Sequence, residues 1–321
     1  MDYIFLVLGF VLLIKGADAL VDSASNIAKA LKVSPIFIGL TIVAFGTSTP
    51  EASVSIIASL SHQNSMAIGN VVGSNIFNLL MVVGTTAFIK TLDVEESILH
   101  KEFPLVLTAS SLMLLLSLDM SLGYFDGFIL LLLFVMFLFY LMRISLNPSN
   151  FSLLNKEISI SMDSDTIAID KNKSILKSIL LSIVSTVSIL FGGKIVVNSA
   201  SSIANTFGVS SQLISVTIVA IGTSLPEFIT SLTAATKGES ALALGSVIGS
   251  NMFNTLFVLG MSAFVSPMNV DPKLIIDSIF MIVSTVILFI FAYRKNDISK
   301  YESLTLIGLY LCYITYLIMS T

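Results

Sequence analysis

The chain has 321 residues, of which 55% are hydrophobic and 11% charged, with a net charge of −4 and a mean hydropathy of +0.97. A soluble domain carries about 25% charged residues, so this chain cannot cover itself with charge and is expected to be an integral membrane protein. It has no basic patch with interleaved aromatics to suit nucleic acid, and its single cysteine, Cys312, excludes an intramolecular disulfide.

Ten apolar segments follow one another, at about 3–30, 36–60, 66–89, 103–118 and 123–143, then 174–204, 211–236, 241–265, 273–293 and 302–320. Their lengths suit membrane-crossing helices of about 20 residues and are too great for barrel strands. The first segment ends in Ala17-Asp18-Ala19, faintly like a signal-peptide cleavage site, but Asp2 stands where such a peptide needs positive charge, so it is expected to be a retained span. It also carries Lys15, Asp18 and Asp22, spaced i, i+3 and i+7, which suit local ion pairing or reach to the interface.

The second segment contains Gly46-Thr47-Ser48-Thr49-Pro50-Glu51 and the third Gly73-Ser74-Asn75-Ile76-Phe77-Asn78. Both recur 176 residues later, as Gly222-Thr223-Ser224-Leu225-Pro226-Glu227 and Gly249-Ser250-Asn251-Met252-Phe253-Asn254. From Thr41 to Gly84 roughly half of the positions match their partner. A carboxylate in hydrocarbon is expensive to insert, so one written twice, in register, points to a shared site at an internal symmetry axis. The glycines at 69, 73, 245 and 249 are read as tight helix packing.

Residues 144–173 form the one long polar connection, with Asn147-Pro148-Ser149-Asn150 near its start. Its Asp163-Ser164-Asp165 and Asp170 lack the Gly and Glu of a calcium-binding EF-hand loop, so it is read as a solvated linker. Five spans on each side of it is an odd number, so the second half must enter the membrane from the opposite face. The expected fold is an all-α membrane protein of ten transmembrane helices, arranged as two inverted five-helix repeats (1–143 and 174–321), with broken helices at the ion site. Thirteen of the sixteen Lys and Arg residues then fall on one side, only Lys273 on the other, and Lys15 and Lys194 within spans. The positive-inside rule places both termini outside and the 144–173 linker in the cytoplasm of a multi-pass cell-membrane protein.

Pro50 and Pro226 lack an N–H and break their helices. The carbonyls around Ala44, Gly46 and Thr47, and around Ala220, Gly222 and Thr223, are expected to lose helical partners, and a bound cation would satisfy them. Thr47, Ser48 and Glu51 share a helix face, as do Ser74 and Asn78 on the next span; their twins are Thr223, Ser224, Glu227, Ser250 and Asn254. All are oxygen donors, which suit hard cations such as Ca²⁺ and Na⁺. Two carboxylates would neutralise one Ca²⁺. Zn²⁺ and Cu⁺ would call for Cys or His ligands, and His62 and His100 lie in loops. An intramembrane hydrolase would need a nucleophile–base pair or metal ligands at membrane depth. A channel would usually place its filter at an oligomer axis.

The paired GTS-x-PE and GSN-x-FN blocks in two five-helix halves resemble the cation/Ca²⁺ antiporter superfamily, and within it the archaeal and bacterial sodium/calcium exchangers. The resemblance implies four ion sites in a diamond between spans 2, 3, 7 and 8, and alternating access with spans 1 and 6 sliding against the rest. It implies ligands at Ala44 (carbonyl), Thr47, Ser48, Glu51, Ser74 and Asn78, and at Ala220 (carbonyl), Thr223, Ser224, Glu227, Ser250 and Asn254. Archaeal exchangers and potassium-dependent relatives often carry Asp where this chain has Asn254, which argues against a potassium requirement. Proton-coupled calcium exchangers typically show GNA-x-E instead of GTS-x-PE. The expected function is therefore Na⁺/Ca²⁺ antiport, with Ca²⁺/H⁺ or potassium-dependent exchange as the alternative. No enzymatic activity, resident cofactor or obligate protein partner is expected. Ca²⁺, Na⁺ and the lipid bilayer are the partners, and a monomer suffices.

Overall fold

The computed structural model describes residues 1–31, 33–96, 98–145, 171–207 and 220–320. Among them, eight helices are long and apolar enough to cross a membrane: Asp2–Leu31, Asn64–Ile89, Ile98–Leu116, Tyr124–Ile144, Ile175–Ala204, Ser240–Val265, Pro272–Lys295 and Lys300–Met319. Pro35–Thr47 and Thr49–Leu60 together are also long and apolar enough, as a helix pair bent by 50° at Ser48. Of the expected segment 211–236, residues 211–219 lie outside the described residues; the remainder forms Ala220–Thr223 and Leu225–Thr236, interrupted at Ser224. The linker's Asp163, Asp165 and Asp170 lie outside them too.

Two boundaries differ from the sequence expectation. The fourth span begins with a π-helical turn, Ile98–Glu102, which carries Glu102 inward to 5% exposure. The helix after the linker starts at Lys171, inside the stretch read as linker, and runs to Thr206. Hydropathy marks where a helix meets lipid, whereas Lys and Asn can still extend its polar end into water.

The helices are layered by how much of their surface faces lipid. Windows of Ser240–Val265 and Asn64–Ile89 are 94% and 72% buried, against 28% for Tyr124–Ile144 and 22% for Lys300–Met319, so the motif-bearing helices are central and the last helix of each half is peripheral. The outer helices present Phe125, Phe139, Leu180 and Val184 outward, as a lipid-facing surface requires.

Contacts recur under the same 176-residue shift. Leu92 pairs with Ile298, and Leu122 with Met268, in two short antiparallel ladders. Leu92 is the counterpart of Met268 and Leu122 of Ile298, so each ladder is the image of the other with the halves exchanged. The π-helical segments Phe77–Val82 and Phe253–Val258 are counterparts, and the edge-on ring pairs Phe77–Tyr310 and Phe134–Phe253 are reciprocal.

Helices 2–31 and 171–206 run antiparallel along a glycine seam. A Cβ on Gly192 would stand 2.9 Å from the Gly9 carbonyl oxygen and from Leu12 Cβ. One on Gly16 would stand 3.1 Å from the Ser185 carbonyl oxygen. Ser188 Oγ donates to the Leu12 carbonyl at 3.2 Å, and Ser202 Oγ to Asp2 at 2.6 Å. Only glycine permits backbones this close. The expectation of tight packing holds for Gly245 and Gly249, whose Cβ would lie 2.8 and 2.6 Å from the carbonyl oxygens of Ile36 and Leu40. For Gly69 the described residues place only Leu274 within reach, at 3.7 Å, and for Gly73 none within 4 Å. The positions equivalent to Ile36 and Leu40, 212 and 216, lie outside the described residues, so the expectation is untested at these two glycines.

Candidate cation site

The break at residue 48 follows from covalent chemistry. Pro50 offers no N–H to Gly46, so the helix ends at Thr47, Ser48 relaxes to φ −83°, ψ 11°, and a new helix starts at Thr49 with the proline in its first turn. Ser224 repeats this geometry at φ −89°, ψ 7° before Pro226. Glu51 and Glu227 each fall in the first turn after the break, where unpaired N–H groups and the helix dipole favour negative charge. The loss of carbonyl partners is narrower than expected: the Ala44 carbonyl still accepts from the Ser48 N–H at 3.0 Å and from Thr47 Oγ1 at 3.3 Å. Ala44 is therefore not orphaned, because the chain turns only after Ser48.

The two halves interlock through their acids. Ser48 Oγ donates to Glu227 Oε1 at 2.7 Å, and Ser224 Oγ donates to Glu51 Oε1 at 2.9 Å. Thr47 lies beside Glu227 and Thr223 beside Glu51. Both acids are 0% exposed, and the Oε2 atom of each has no hydrogen-bond partner. The neighbouring central helices supply an amide network with the same reciprocity. Asn78 Nδ2 donates to Asn251 Oδ1 at 3.2 Å, and Asn254 Nδ2 donates to Asn75 Oδ1 at 3.3 Å. Asn75 Nδ2 also donates to Thr255 Oγ1 at 2.8 Å. With their N–H groups committed, Asn78 and Asn254 keep buried Oδ1 atoms without partners, as does Ser250 Oγ.

Of the expected ligands, the structure joins Ser48 to Glu227 and Ser224 to Glu51 across the halves, and ties Asn78 and Asn254 to the other half through Asn251 and Asn75. Ala44, Thr47, Ser48, Glu51, Ser74, Asn78, Ser224, Glu227, Ser250 and Asn254 are all buried, Thr223 is half-buried, and Ala220 opens the helical turn Ala220–Thr223. Buried polar groups in proteins are rarely unpaired. Here five unpaired oxygens, two of them on carboxylates, belong to this set. Such an arrangement suits a hard cation bound without its water. Among the described residues no three His, Cys, Asp or Glu side chains gather, and Cys312 is exposed. Stacked Phe45 and Phe253, 4.9 Å between centroids, and Phe134 with Phe257 at 5.2 Å pack together beside these helices.

Two residues that hold the site were not singled out from sequence. Asn75 and Asn251 orient Asn78 and Asn254 rather than joining the expected ligand set. Their signal was present, since both stand in the doubled Gly-Ser-Asn block, three residues before Asn78 and Asn254, although each fixes the asparagine of the other half. The ion pairing expected for Lys15, Asp18 and Asp22 involves a different lysine: Lys237 Nζ lies 2.7 Å from Asp22 Oδ1 and 3.5 Å from Asp18 Oδ1. Residues 2–31 and 225–236 pack together in three dimensions, which spacing along one helix cannot reveal.

The sequence signature described as sodium/calcium exchanger protein matches residues 1–143 and 177–319. The putative antiporter CaxA of Alkalimonas amylolytica is 38% identical over 298 residues, 92% of this chain and 91% of its own length. The sodium/calcium exchanger MaX1 of Methanosarcina acetivorans is 32% identical, with 98% of each chain covered. A solved structure of the sodium-calcium exchanger NCX_Mj superposes with a TM-score of 0.84 at 28% identity, covering 98% of both chains. With its doubled acid motif interlocked at a buried oxygen cage, the chain belongs to the sodium/calcium exchanger family of membrane transport proteins.

Proposed function

We propose that this protein is a secondary antiporter exchanging Na⁺ for Ca²⁺ by alternating access. The observation that carries the reading is the pair of fully buried acids, each held through one oxygen by a serine of the other half and left with the second oxygen bare. Both carboxylates ionised would leave a charge of −2 in a poor dielectric, which is prohibitive unless cargo balances it. One Ca²⁺ between Glu51 and Glu227 does so. Several Na⁺ ions do so as well, using the oxygens of Ala44, Thr47, Ser48, Ser74 and Asn78 with those of Ala220, Thr223, Ser224, Ser250 and Asn254. The two cargoes exclude each other because they compete for the same negative charge. The empty cage is the state least able to cross, which couples the two fluxes.

Ten spans in two inverted repeats fit this reading, the segment expected at 211–236 being represented among the described residues by Ala220–Thr223 and Leu225–Thr236. Support comes from the reciprocal contacts and the two ladders. Each ladder joins loops that the basic-residue count assigns to the same face, 92–93 with 297–298 and 121–122 with 268–269. Both termini then lie outside and the 144–173 linker in the cytoplasm. The glycine seam between helices 2–31 and 171–206 is a smooth surface along which these two could slide against the other spans. The site is completed within one chain, so a monomer suffices. Amides at both central positions, Asn78 and Asn254, favour a cycle without K⁺.

The test is uptake of radiolabelled Ca²⁺ into proteoliposomes under an outward Na⁺ gradient, with K⁺ and pH varied. Uptake that needs internal Na⁺ and ignores K⁺ and a pH gradient is the expected result. Uptake driven by a pH gradient without Na⁺ would replace the reading with Ca²⁺/H⁺ antiport. Flux that neither saturates nor needs a counter-ion would replace it with a channel.

A further inference from the structure

Asn70 lies outside the expected ligand set, yet it reaches the Glu51 arm directly. Its Nδ2 donates to the Glu51 main-chain oxygen at 3.2 Å and to Ser55 Oγ at 2.9 Å. One side chain thereby ties helix 64–89 to the first two turns of helix 49–60, the segment that aims Glu51 into the cage. The counterpart of Asn70 is Ser246, and the counterpart of Ser55 is Ser231. Serine lacks the reach of asparagine and carries one hydrogen where the amide carries two. The clamp is absent in the second half: Ser246, Ser231 and the neighbouring Thr230 are each 1% exposed, and none of their hydroxyls has a partner. Thr230 itself stands where the first half has Val54. Beyond Glu227, then, the cage continues into three free hydroxyls, whereas beyond Glu51 it is closed by an amide.

We propose that Asn70 is a positioning residue that fixes the Glu51 arm of the cage, and that the Glu227 arm, with Thr230, Ser231 and Ser246 in place of that clamp, is the arm that adjusts between the two cargoes. The inference rests on the Na⁺/Ca²⁺ reading above. Ca²⁺ needs both carboxylates converging on one point, so freeing Glu51 removes preorganisation and weakens Ca²⁺ more than Na⁺. Na⁺ is satisfied by fewer charges and by neutral oxygens, which the hydroxyl trio supplies. An arm locked by an amide cannot re-form around a different set of ions, whereas one bordered by free hydroxyls exchanges hydroxyl partners for water or cation at little cost.

The experiment reads Ca²⁺ and Na⁺ dependence of exchange in proteoliposomes, together with Ca²⁺-dependent thermal unfolding in detergent. N70S is expected to raise the apparent KM for Ca²⁺ by about five- to tenfold, the worth of one hydrogen bond of about 1–1.4 kcal/mol. Its KM for Na⁺ should stay within twofold and its maximal rate near wild type. S246N, which installs an amide in reach of Ser231, is expected to lower the maximal rate at least fivefold with the KM for Ca²⁺ unchanged or lower. Should N70S fail to insert, Ser55→Ala removes one of the clamp's acceptors while keeping Asn70, and a two- to threefold rise in the same KM is expected. A KM for Ca²⁺ within twofold of wild type in N70S, or unchanged in S55A where N70S does not insert, overturns the proposal. So does loss of protein or maximal rate in N70S without a KM change, which is what a merely structural role would give. So does S246N with a wild-type rate. Wild-type protein showing no Na⁺-driven Ca²⁺ flux would instead overturn the exchange reading, and the Ca²⁺ thermal shift of N70S against wild type would still decide the role of Asn70.

Discussion

Replacing Glu51 by Gln removes one of two buried charges while keeping shape and one acceptor oxygen. The structure offers no replacement: Glu51 is 0% exposed and its direct side-chain donor is the neutral hydroxyl of Ser224. Two unit charges at about 4 Å in a medium of effective dielectric about 20 interact by about 4 kcal/mol. A divalent cation thus loses about 8 kcal/mol of attraction and a monovalent one about 4. Desolvation offsets part of each, so the difference between the ions is the robust quantity. At 1.4 kcal/mol per factor of ten, about 4 kcal/mol means that Ca²⁺ affinity falls about 10³-fold further than Na⁺ affinity. Titrating each ion against the unfolding temperature of detergent-solubilised protein reads both affinities, since a ligand of the native state stabilises it by mass action. Ca²⁺-dependent flux should vanish in the same variant while the protein still inserts. Glu227→Gln should behave alike in this respect, because each acid is fully buried and held by a neutral serine hydroxyl of the other half. Ca²⁺ affinity within tenfold of wild type in either variant, or equal losses for Ca²⁺ and Na⁺, would refute the two-carboxylate cage.

Gly192→Ala would place a methyl 2.9 Å from the Gly9 carbonyl oxygen and Leu12 Cβ, backbone and packed side chain that cannot move aside singly. The expected result is at least a tenfold loss of maximal exchange rate with ion affinities changed less than threefold, read by flux and by ion-dependent unfolding. Asn75→Ala deletes the acceptor of the Asn254 amide and the donor to Thr255. Buried groups left unpaired cost about 1–3 kcal/mol each, so thermal unfolding should come several degrees earlier, and Ca²⁺ should restore less of that loss than in wild type.

The doubled motif made much of the site legible before any coordinates. Pro50 and Pro226 announce helix breaks through covalent chemistry, and the breaks occur at Ser48 and Ser224. Lengths and hydropathy announced the spans, because a bilayer imposes one thickness on every helix. Hydropathy failed at Lys171 and Ile98, where polar residues continue a helix. The orphaned Ala44 carbonyl was wrong for a reason of geometry: one more residue of helix before the turn kept its donor.

By itself the sequence determined that the chain is a doubled membrane protein, that its oxygen-bearing motifs stand beside two helix-breaking prolines, and that the second half copies the first at a shift of 176. Those properties live in local chemistry and periodicity, where each residue declares itself. Only the tertiary structure decided that each acid is held by the other half, Ser48 with Glu227 and Ser224 with Glu51, and that Asn75 and Asn251 orient the opposite pair. It also decided that Lys237 meets Asp22 and that Asn70 clamps one arm without a counterpart. Such partners sit on separate helices, in most cases more than 170 residues apart, and which side chains meet depends on how backbones approach across glycine seams. A one-dimensional pattern carries no record of that distance.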